Sequence, residues 1–176
     1  MREKNILAIS GSTKANSTNE LILKFIAKKY GEGLHFEIYN RIGELPHFNS
    51  DLESENLPEA VKTFRELIER ADGVLISTPE YVFSLPGSLK NALEWTVSTT
   101  VFSDKPCAFV VAAASGEKAF ESLDLILKAI GANVGEHSKL IIKAAKGKLN
   151  SAGEITDQTA LREIDRLMTA FVKTIN

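Results

Sequence analysis

Short apolar segments that alternate with longer segments of helical periodicity are the feature that most constrains this chain. Five apolar runs predict β-strands at residues 5–9, 35–39, 73–77, 107–112 and 139–142. Apolar residues that recur every three or four positions predict helices at residues 19–30, 58–70, 88–96, 118–130 and 157–174. This alternation is typical of a parallel sheet with helices on both faces, so we predict an α/β protein.

The length of the chain fits a single core. With 176 residues and a hydrophobic content of 44%, residues 1–176 are interpreted as one domain. Residues 40–57 and 143–156 lack periodicity and are predicted to be surface loops. Two strand orders are common in doubly wound sheets, and the shorter, flavodoxin-like order needs nothing that this chain lacks. The predicted fold is a flavodoxin-like three-layer sandwich whose five-stranded parallel sheet has the order 2-1-3-4-5.

Charge and cysteine content limit the binding partners and the cellular location that we expect for this chain. Lys and Arg number 21, Asp and Glu 23, and no block of like charge follows the chain, so neither nucleic acid nor a membrane is an expected partner. The single cysteine, Cys107, lies in an apolar run and is predicted to be buried. The apolar stretch in residues 1–10 is too short for a signal peptide or a membrane span, which makes a cytoplasmic location the default expectation. The histidines have no ligand-spaced Cys or carboxylate, so no metal site is expected.

The predicted strand order indicates where a ligand binds. In this order strands one and three flank the switch point, and ligands of open α/β sheets bind beyond the carboxyl ends of the strands there. The loops that follow Ile9 and Ser77 are therefore the expected binding loops.

The first of these loops, residues 10–19, is rich in hydroxyl and amide side chains and has one lysine and no acid before Glu20. The helix predicted after it offers unpaired N–H groups and the positive end of its dipole, which favour an anion. The GxxxxGK[ST] and GxGxxG signatures are absent, so a terminal monophosphate such as that of FMN fits better than a nucleoside triphosphate or a pyrophosphate. For each of Ser17, Thr18 and Asn19, the alternative is an ordinary role in capping the helix.

The second loop has a proline at each end, and these prolines fix its backbone. Pro79 and Pro86 bracket the sequence EYVFSL, and a rigid loop beside a crevice loses little entropy when it orders around a planar ring. Tyr81 and Phe83 supply apolar surface for such a ring. We therefore expect this loop to contact the planar ring of a ligand.

These loops resemble the NADPH-dependent FMN reductase family, which has a flavodoxin-like fold and includes quinone, azo-dye and chromate reductases. The family motif GSxRxxSxN appears at residues 11–19, with Lys14 in place of Arg. The motif PEYNxSxPGxLKNAxDW appears at residues 79–95, with Val82 in place of Asn and Glu94 in place of Asp. A third, usually glycine-rich loop follows strand four and keeps only the pair Ser115-Gly116. The resemblance covers nearly the whole chain.

The resemblance implies two sets of cofactor-binding residues. The residues expected around the FMN phosphate are Ser10, Ser12, Lys14, Ser17, Thr18 and Asn19. The residues expected along the flavin ring are Pro79, Glu80, Tyr81, Val82 and Phe83, together with Ser115 and Gly116. For the Glu80 carboxylate, contact with a backbone or a helix end is a more natural role than that of a catalytic acid. No catalytic side chain is expected, because the flavin ring itself carries the hydride.

The resemblance also implies an activity and an assembly. The expected activity is transfer of hydride from NADPH or NADH to bound FMN, and then to a small-molecule electron acceptor such as a quinone, a flavin or an azo compound, by a ping-pong mechanism. Residues 88–102 are expected to help form a homodimer or homotetramer. The alternatives are a flavodoxin-like electron carrier that does not oxidise NAD(P)H, and a flavin-free signalling or scaffold domain of the same fold. Electron carriers are usually much more acidic than this chain.

Overall fold

Five parallel strands form the centre of the molecule in a computed structural model that describes residues 2–53 and 56–175. The strands are β1 (Lys4–Ser10), β2 (Leu34–Tyr39), β3 (Gly73–Thr78), β4 (Pro106–Ala113) and β5 (Asn133–Lys143). Their order in the sheet is β2-β1-β3-β4-β5, and every neighbouring pair is parallel. The predicted strand order is confirmed.

Helices cover both faces of the sheet. They are α1 (Thr18–Tyr30), α2 (Glu59–Arg70), α3 (Gly87–Glu94), α4 (Glu117–Ala129) and α5 (Gln158–Ile175). Residues of α2, α3 and α4 pack on one face, and residues of α1 and α5 pack on the other. The three central strands, β1, β3 and β4, are mostly buried on both sides, and all six residues of β3 are buried. The predicted three-layer sandwich is confirmed, and none of the described helices is both long and apolar enough to cross a bilayer.

Strand β5 is longer than predicted. It begins at Asn133, whereas the sequence pattern predicted only residues 139–142. Val134 pairs with Cys107 of β4 and Lys139 pairs with Phe109, so the four residues 135–138 bulge out of the ladder. These residues read Gly-Glu-His-Ser and lie at the edge of the sheet, so they do not show the apolar run of a buried strand.

The two predicted loops contain more structure than expected. Residues 40–57 include 3₁₀ turns at Ile42–Glu44 and Ser50–Leu52, and Ile42 is buried in the core. Residues 143–156 include a 3₁₀ turn at Ala145–Lys148 and a bridge between Leu149 and Ile155. Both segments are therefore partly core-forming, and within the first of them residues 54 and 55 lie outside the described part of the chain.

Two side-chain predictions can be compared with the structure in the core and near α3. Cys107 is completely buried, as predicted. Lys90 and Glu94, four residues apart on α3, form an ion pair. Phe102 was expected to belong to an intersubunit surface with Val97, but its side chain is buried in the core and only Val97 is exposed.

Candidate functional site

A cavity of about 740 Å³ lies where the loops after β1, β3, β4 and β5 meet. Its wall is formed by residues within four segments, 12–21, 79–81, 112–114 and 144–150. This volume is in the usual range for small-molecule sites, and the position at the carboxyl edge of the sheet is the one expected from the strand order. The loops after β1 and β3 meet at this cavity, as the sequence predicted.

The start of α1 forms one end of the cavity. The Ser17 hydroxyl accepts a hydrogen bond from the Glu20 N–H at 3.1 Å, and the Glu20 carboxylate accepts one from the Asn16 N–H at 2.8 Å. The first bond caps the helix at Ser17, and the second ties the residue before the cap to the first turn, an arrangement similar to a capping box. The N–H groups of Thr18 and Asn19 have no intrahelical acceptor, because they belong to the first turn. The start of α1 therefore presents amide donors to an anion.

The Glu20 carboxylate stays ionised beside this end of the cavity. Burial alone raises the pKa of its carboxyl, but hydrogen bonds from Lys24 and from the Asn16 N–H, together with the charge of Lys24, hold the pKa below its ordinary value. The Lys24 ammonium lies 2.7 Å from the carboxylate. The negative charge is thus balanced within the protein and does not oppose an anion in the cavity.

Two residues of the predicted phosphate loop act mainly within the protein. Ser10 is fully buried and does not line the cavity, and its hydroxyl donates to the Ser12 carbonyl at 3.2 Å. Asn19 lines the cavity, but its side chain donates to the Ala112 carbonyl at 3.3 Å and accepts from the Ser77 hydroxyl at 2.9 Å. Ser10 therefore shapes the turn, and Asn19 ties α1 to the ends of β3 and β4.

The loop after β3 contributes Pro79 and Tyr81 to the wall. Beyond them the chain turns back tightly, because the N–H of Tyr81 donates to the Ser84 carbonyl and the N–H of Ser84 donates to the Tyr81 carbonyl, both at 3.0 Å. The central residues of this turn, Val82 and Phe83, have φ angles of 49° and 56° and are 95% and 79% exposed. They form an apolar tip outside the cavity wall, although the sequence predicted them along the ring.

Glu80 joins the second loop to the third. Its carboxylate accepts hydrogen bonds from the N–H groups of Lys118 and Ala119, both at 2.9 Å, and from the Ser115 hydroxyl at 3.0 Å. These bonds, led by the one from Ala119, lower the pKa of the Glu80 carboxyl. Gly116, with a φ of 106°, immediately precedes α4. Glu80, Ser115 and Gly116 thus form a helix-end contact, the role expected for Glu80, and none of the three lines the cavity.

Sequence reasoning missed two parts of the wall. Ala112 and Ala113 end β4 and Ala114 follows it, and their small side chains leave room beside the sheet. The second part, residues 144–150, follows β5. The run of small residues after a buried strand was a usable signal for the first part. The second part lies in a segment without periodicity, where only the sequence Lys-Gly-Lys at residues 146–148 stands out.

A second groove of about 690 Å³ lies between residues 135–138 and the second half of α5. It shares no lining residue with the first cavity and includes no loop from the carboxyl edge of the sheet.

No group of three or more His, Cys, Asp or Glu side chains suited to a metal ion occurs within residues 2–53 and 56–175. The first cavity is accordingly the candidate functional site.

The fold and this site define a class. At the carboxyl edge of a flavodoxin-like sheet, backbone amides that can bind an anion lie next to a wall of small residues. This combination suits a planar ligand that bears a phosphate. Comparison with known proteins identifies the family within this class. The sequence model of the NADPH-dependent FMN reductase family matches residues 4–147. The chain belongs to that family. The family consists of oxidoreductases that use FMN and a reduced nicotinamide nucleotide.

Individual relatives resemble the chain over nearly its whole length. The NADH:(hydroxy)cinnamate reductase subunit CrdA of Vibrio ruber is 32% identical over 96% of this chain and 85% of its own length. An NAD(P)H-dependent FMN reductase of Pseudomonas aeruginosa is 31% identical over 94% of this chain and 91% of its own. The structure of FerB, a flavoenzyme NAD(P)H:(acceptor) oxidoreductase from Paracoccus denitrificans, superposes with a TM-score of 0.87 at 29% identity and covers 98% of this chain and 97% of that one.

Proposed function

We propose that this protein is an oxidoreductase that binds FMN in the 740 Å³ cavity and oxidises NADPH or NADH in order to reduce a small acceptor. One observation carries the proposal: the same cavity joins the amide-rich start of α1 to a wall of small and apolar residues at the ends of β3 and β4. A phosphate suits the first region and a flat ring suits the second. Family membership supports both the cofactor and the reductant.

The residues present fit FMN. The amides of Thr18 and Asn19, the hydroxyls of Ser12 and Ser17 and the ammonium of Lys14 are the donors for the phosphate. The Ser17 oxygen already accepts a bond from the Glu20 N–H, so its own O–H is available to donate to an anion.

Small side chains leave space for the ring. Ala112, Ala113 and Ala114 are the residues over which a flat ring has room, with Pro79 and Tyr81 beside them. Bound FMN supplies the hydride chemistry, and the protein supplies placement, exclusion of water and electrostatics. No side chain in the cavity is needed as an acid or a nucleophile.

The acceptor and the kinetic order belong to the same proposal. Relatives are named as FMN, quinone and hydroxycinnamate reductases, so we infer a small planar acceptor such as a quinone, a flavin or an azo compound. One cavity serves both the nucleotide and the acceptor, which favours a ping-pong order in which the oxidised nucleotide leaves first. Residues 1–176 act as one FMN-binding domain, and use of NADPH or NADH favours a cytoplasmic location, where these nucleotides are maintained.

We further propose that the protein forms a homodimer or a homotetramer. Val82 and Phe83 expose apolar side chains next to the cavity, and Val97, just after α3, is 63% exposed. Exposed apolar residues that lie side by side, as Val82 and Phe83 do, are typical of a surface that contacts another chain. A second copy seated on this surface would cover the tip and narrow the cavity mouth.

The test is to mix the FMN-loaded protein with NADPH or NADH in the absence of oxygen and follow flavin absorbance by stopped flow. We expect the absorbance to fall, and to recover when a quinone is added. Bound flavin that neither nucleotide reduces would indicate an electron carrier instead. A protein that binds no flavin, and whose melting temperature does not rise with FMN, would indicate a flavin-free domain.

A further inference from the structure

Two lysines without acidic partners line the same cavity. Lys14 comes from the loop after β1, and Lys146 comes from the segment after β5. No acidic residue occurs among the described residues that line this cavity, and neither lysine forms an ion pair within the described part of the chain. The lysines on either side of Lys146 differ, because Lys143 pairs with Glu117 and Lys148 lies 3.6 Å from Asp157.

The backbone before and after Lys146 is held firmly. Directly after β5, Ala144 adopts a left-handed conformation with φ of 49°, and its N–H donates to the Ala114 carbonyl at 3.3 Å. Ala145 is buried, and the Gly147 N–H closes the turn onto the Ala144 carbonyl at 3.0 Å. The position of the Lys146 backbone on the cavity wall is therefore set by the end of the sheet and does not depend on a ligand.

A short hairpin then fastens this segment to α1. The Thr156 N–H donates to the Lys148 carbonyl at 2.9 Å, and the Asn150 side chain accepts from the Glu154 N–H at 2.9 Å. At the far end of this hairpin, Gly153 approaches Leu21 of α1 so closely that a Cβ at Gly153 would lie 2.8 Å from Leu21 Cδ2. Leu21 itself lines the cavity, so the hairpin keeps Lys146 and the start of α1 on one wall.

We propose that Lys146 binds the phosphate of FMN together with Lys14, an inference that rests on the proposed function. A phosphate monoester carries close to two negative charges at neutral pH, since its second pKa is about 6. Lys14 alone is a single point charge and lacks the bidentate fork of an arginine. Lys146 supplies the second positive charge, so that the site neutralises the dianion and discriminates strongly against riboflavin.

The test compares flavin binding to four flavin-free, full-length proteins: wild type, Lys146→Gln, Lys146→Arg and Lys148→Gln. FMN and riboflavin are titrated into each protein, and binding is followed by quenching of flavin fluorescence. We expect Lys146→Gln to weaken the affinity for FMN about tenfold. This is the low end of the range for a hydrogen bond between charged groups, because the lysine is exposed. The affinity for riboflavin should not change. Lys146→Arg should retain FMN affinity. Lys148→Gln makes the same change of charge two residues away, off the cavity wall, and should stay within twofold of wild type.

The dependence of FMN affinity on salt concentration tests the same proposal independently. The FMN affinity of the wild type should fall with ionic strength more steeply than that of Lys146→Gln, because one attractive charge has been removed from the variant. Melting curves of all four flavin-free proteins check that the variants are folded.

Three results would overturn the inference. If Lys146→Gln binds FMN as the wild type does, the charge has no role in binding, while the wild-type titration leaves the proposed function standing. If FMN affinity is unchanged but KM rises for NADPH and not for NADH, the lysine serves the 2′-phosphate of the nucleotide instead. If the wild type binds neither flavin, the proposed function fails as well.

Discussion

Val82 and Phe83 sit at the tip of the turn after β3 with φ angles of 49° and 56°. The left-handed region costs an L-residue about 1–2 kcal/mol, and a β-branched side chain fits it poorly. The tip is largely exposed, so few contacts within the chain offset this cost. The family motif has Asn at position 82, a residue that tolerates this backbone, and this chain instead accepts strain to present an apolar surface beside the site.

Replacing Val82 with Asn tests this strain. We expect Val82→Asn to stabilise the flavin-free protein by about 1 kcal/mol, because Asn adopts the left-handed conformation more readily. Urea denaturation measures the change. Val97→Asn is the control: Val97 is also exposed but is not among the residues with positive φ, so its effect should stay within about 0.5 kcal/mol. A Val82→Asn protein that is no more stable than wild type would contradict the interpretation.

Gly11 is the residue on which the geometry of the first loop most depends. A Cβ at this position would lie 2.4 Å from Thr78 Oγ1 and 2.6 Å from Thr78 Cβ, and Thr78 is fully buried. The Gly11 N–H also donates to the Ser77 carbonyl at 2.7 Å, which joins the ends of β1 and β3. The turn at the start of the loop after β1 therefore requires the absence of a side chain.

We accordingly expect Gly11→Ala to cost about 1–3 kcal/mol of stability, the usual range for overpacking a tight site. FMN affinity should also fall, since the start of the loop must move. Gly87→Ala provides a matched control, because nothing lies within 4 Å of a Cβ built there. Thermal denaturation of both variants gives the comparison, and equal stabilities would show that the loop adjusts without cost.

At the scale of elements, Glu80 connects the loop after β3 to the start of α4. Its hydrogen bonds to the N–H groups of Lys118 and Ala119 satisfy two donors that no residue of the helix can satisfy. A carboxylate at this end also interacts favourably with the helix dipole. Glu80 thus holds two of the three predicted flavin loops in one arrangement.

Glu80→Gln should therefore lower stability by about 1 kcal/mol at pH 7, the typical value of a helix cap. Because the pKa of the Glu80 carboxyl is lowered in the folded state, its contribution is complete above the ordinary Glu value of about 4.3 and disappears as pH falls through the lower folded value. Urea denaturation at several pH values should show the two proteins converging below about pH 4. Glu121→Gln, on the exposed surface of α4, should have little effect, and a gap that persists at low pH would refute the ionic role.

The elements also show which features the sequence could reveal. Buried strands such as β3 have continuous apolar runs, and α2 buries Val61, Phe64, Leu67 and Ile68 at helical spacing, so both were predictable. The first half of β5 was not, since edge position and a bulge allow residues 135–138 to be polar. In the site, the motifs located the loops, but the direction of a side chain depends on tertiary contacts. Glu80 turns towards α4 and Asn19 towards β4 for that reason.

At the scale of the whole molecule, ion pairs are numerous but differ in burial. Arg65 and Glu53 are 12% and 17% exposed at a separation of 2.7 Å, and Arg65 Nε also donates to the Trp95 carbonyl at 2.6 Å. Arg70 and Glu37 are 63% and 45% exposed at the same separation. The first pair ties the segment before α2 to Arg65 on α2, and Arg65 in turn holds the end of α3, while the second pair lies in solvent.

These two pairs should respond differently to the same substitution. We expect Arg65→Gln to cost about 2 kcal/mol, below the full range for a buried pair because some solvent reaches it. Arg70→Gln should cost less than about 0.5 kcal/mol, since exposed pairs contribute little. Free energies of unfolding from urea titrations at pH 7 give both values. Similar losses in the two variants would mean that Arg65 does not fasten this segment to the end of α3.

The segment that follows β5 has a consequence for when the cavity can form during synthesis. Residues 144–150 complete the cavity wall, and they come late in a chain of 176 residues. A growing polypeptide cannot offer the finished cavity until this stretch has left the ribosome. The wall of the cavity is therefore completed only after this stretch has been synthesised, and a chain cut before residue 144 would lack the part of the wall that contains Lys146.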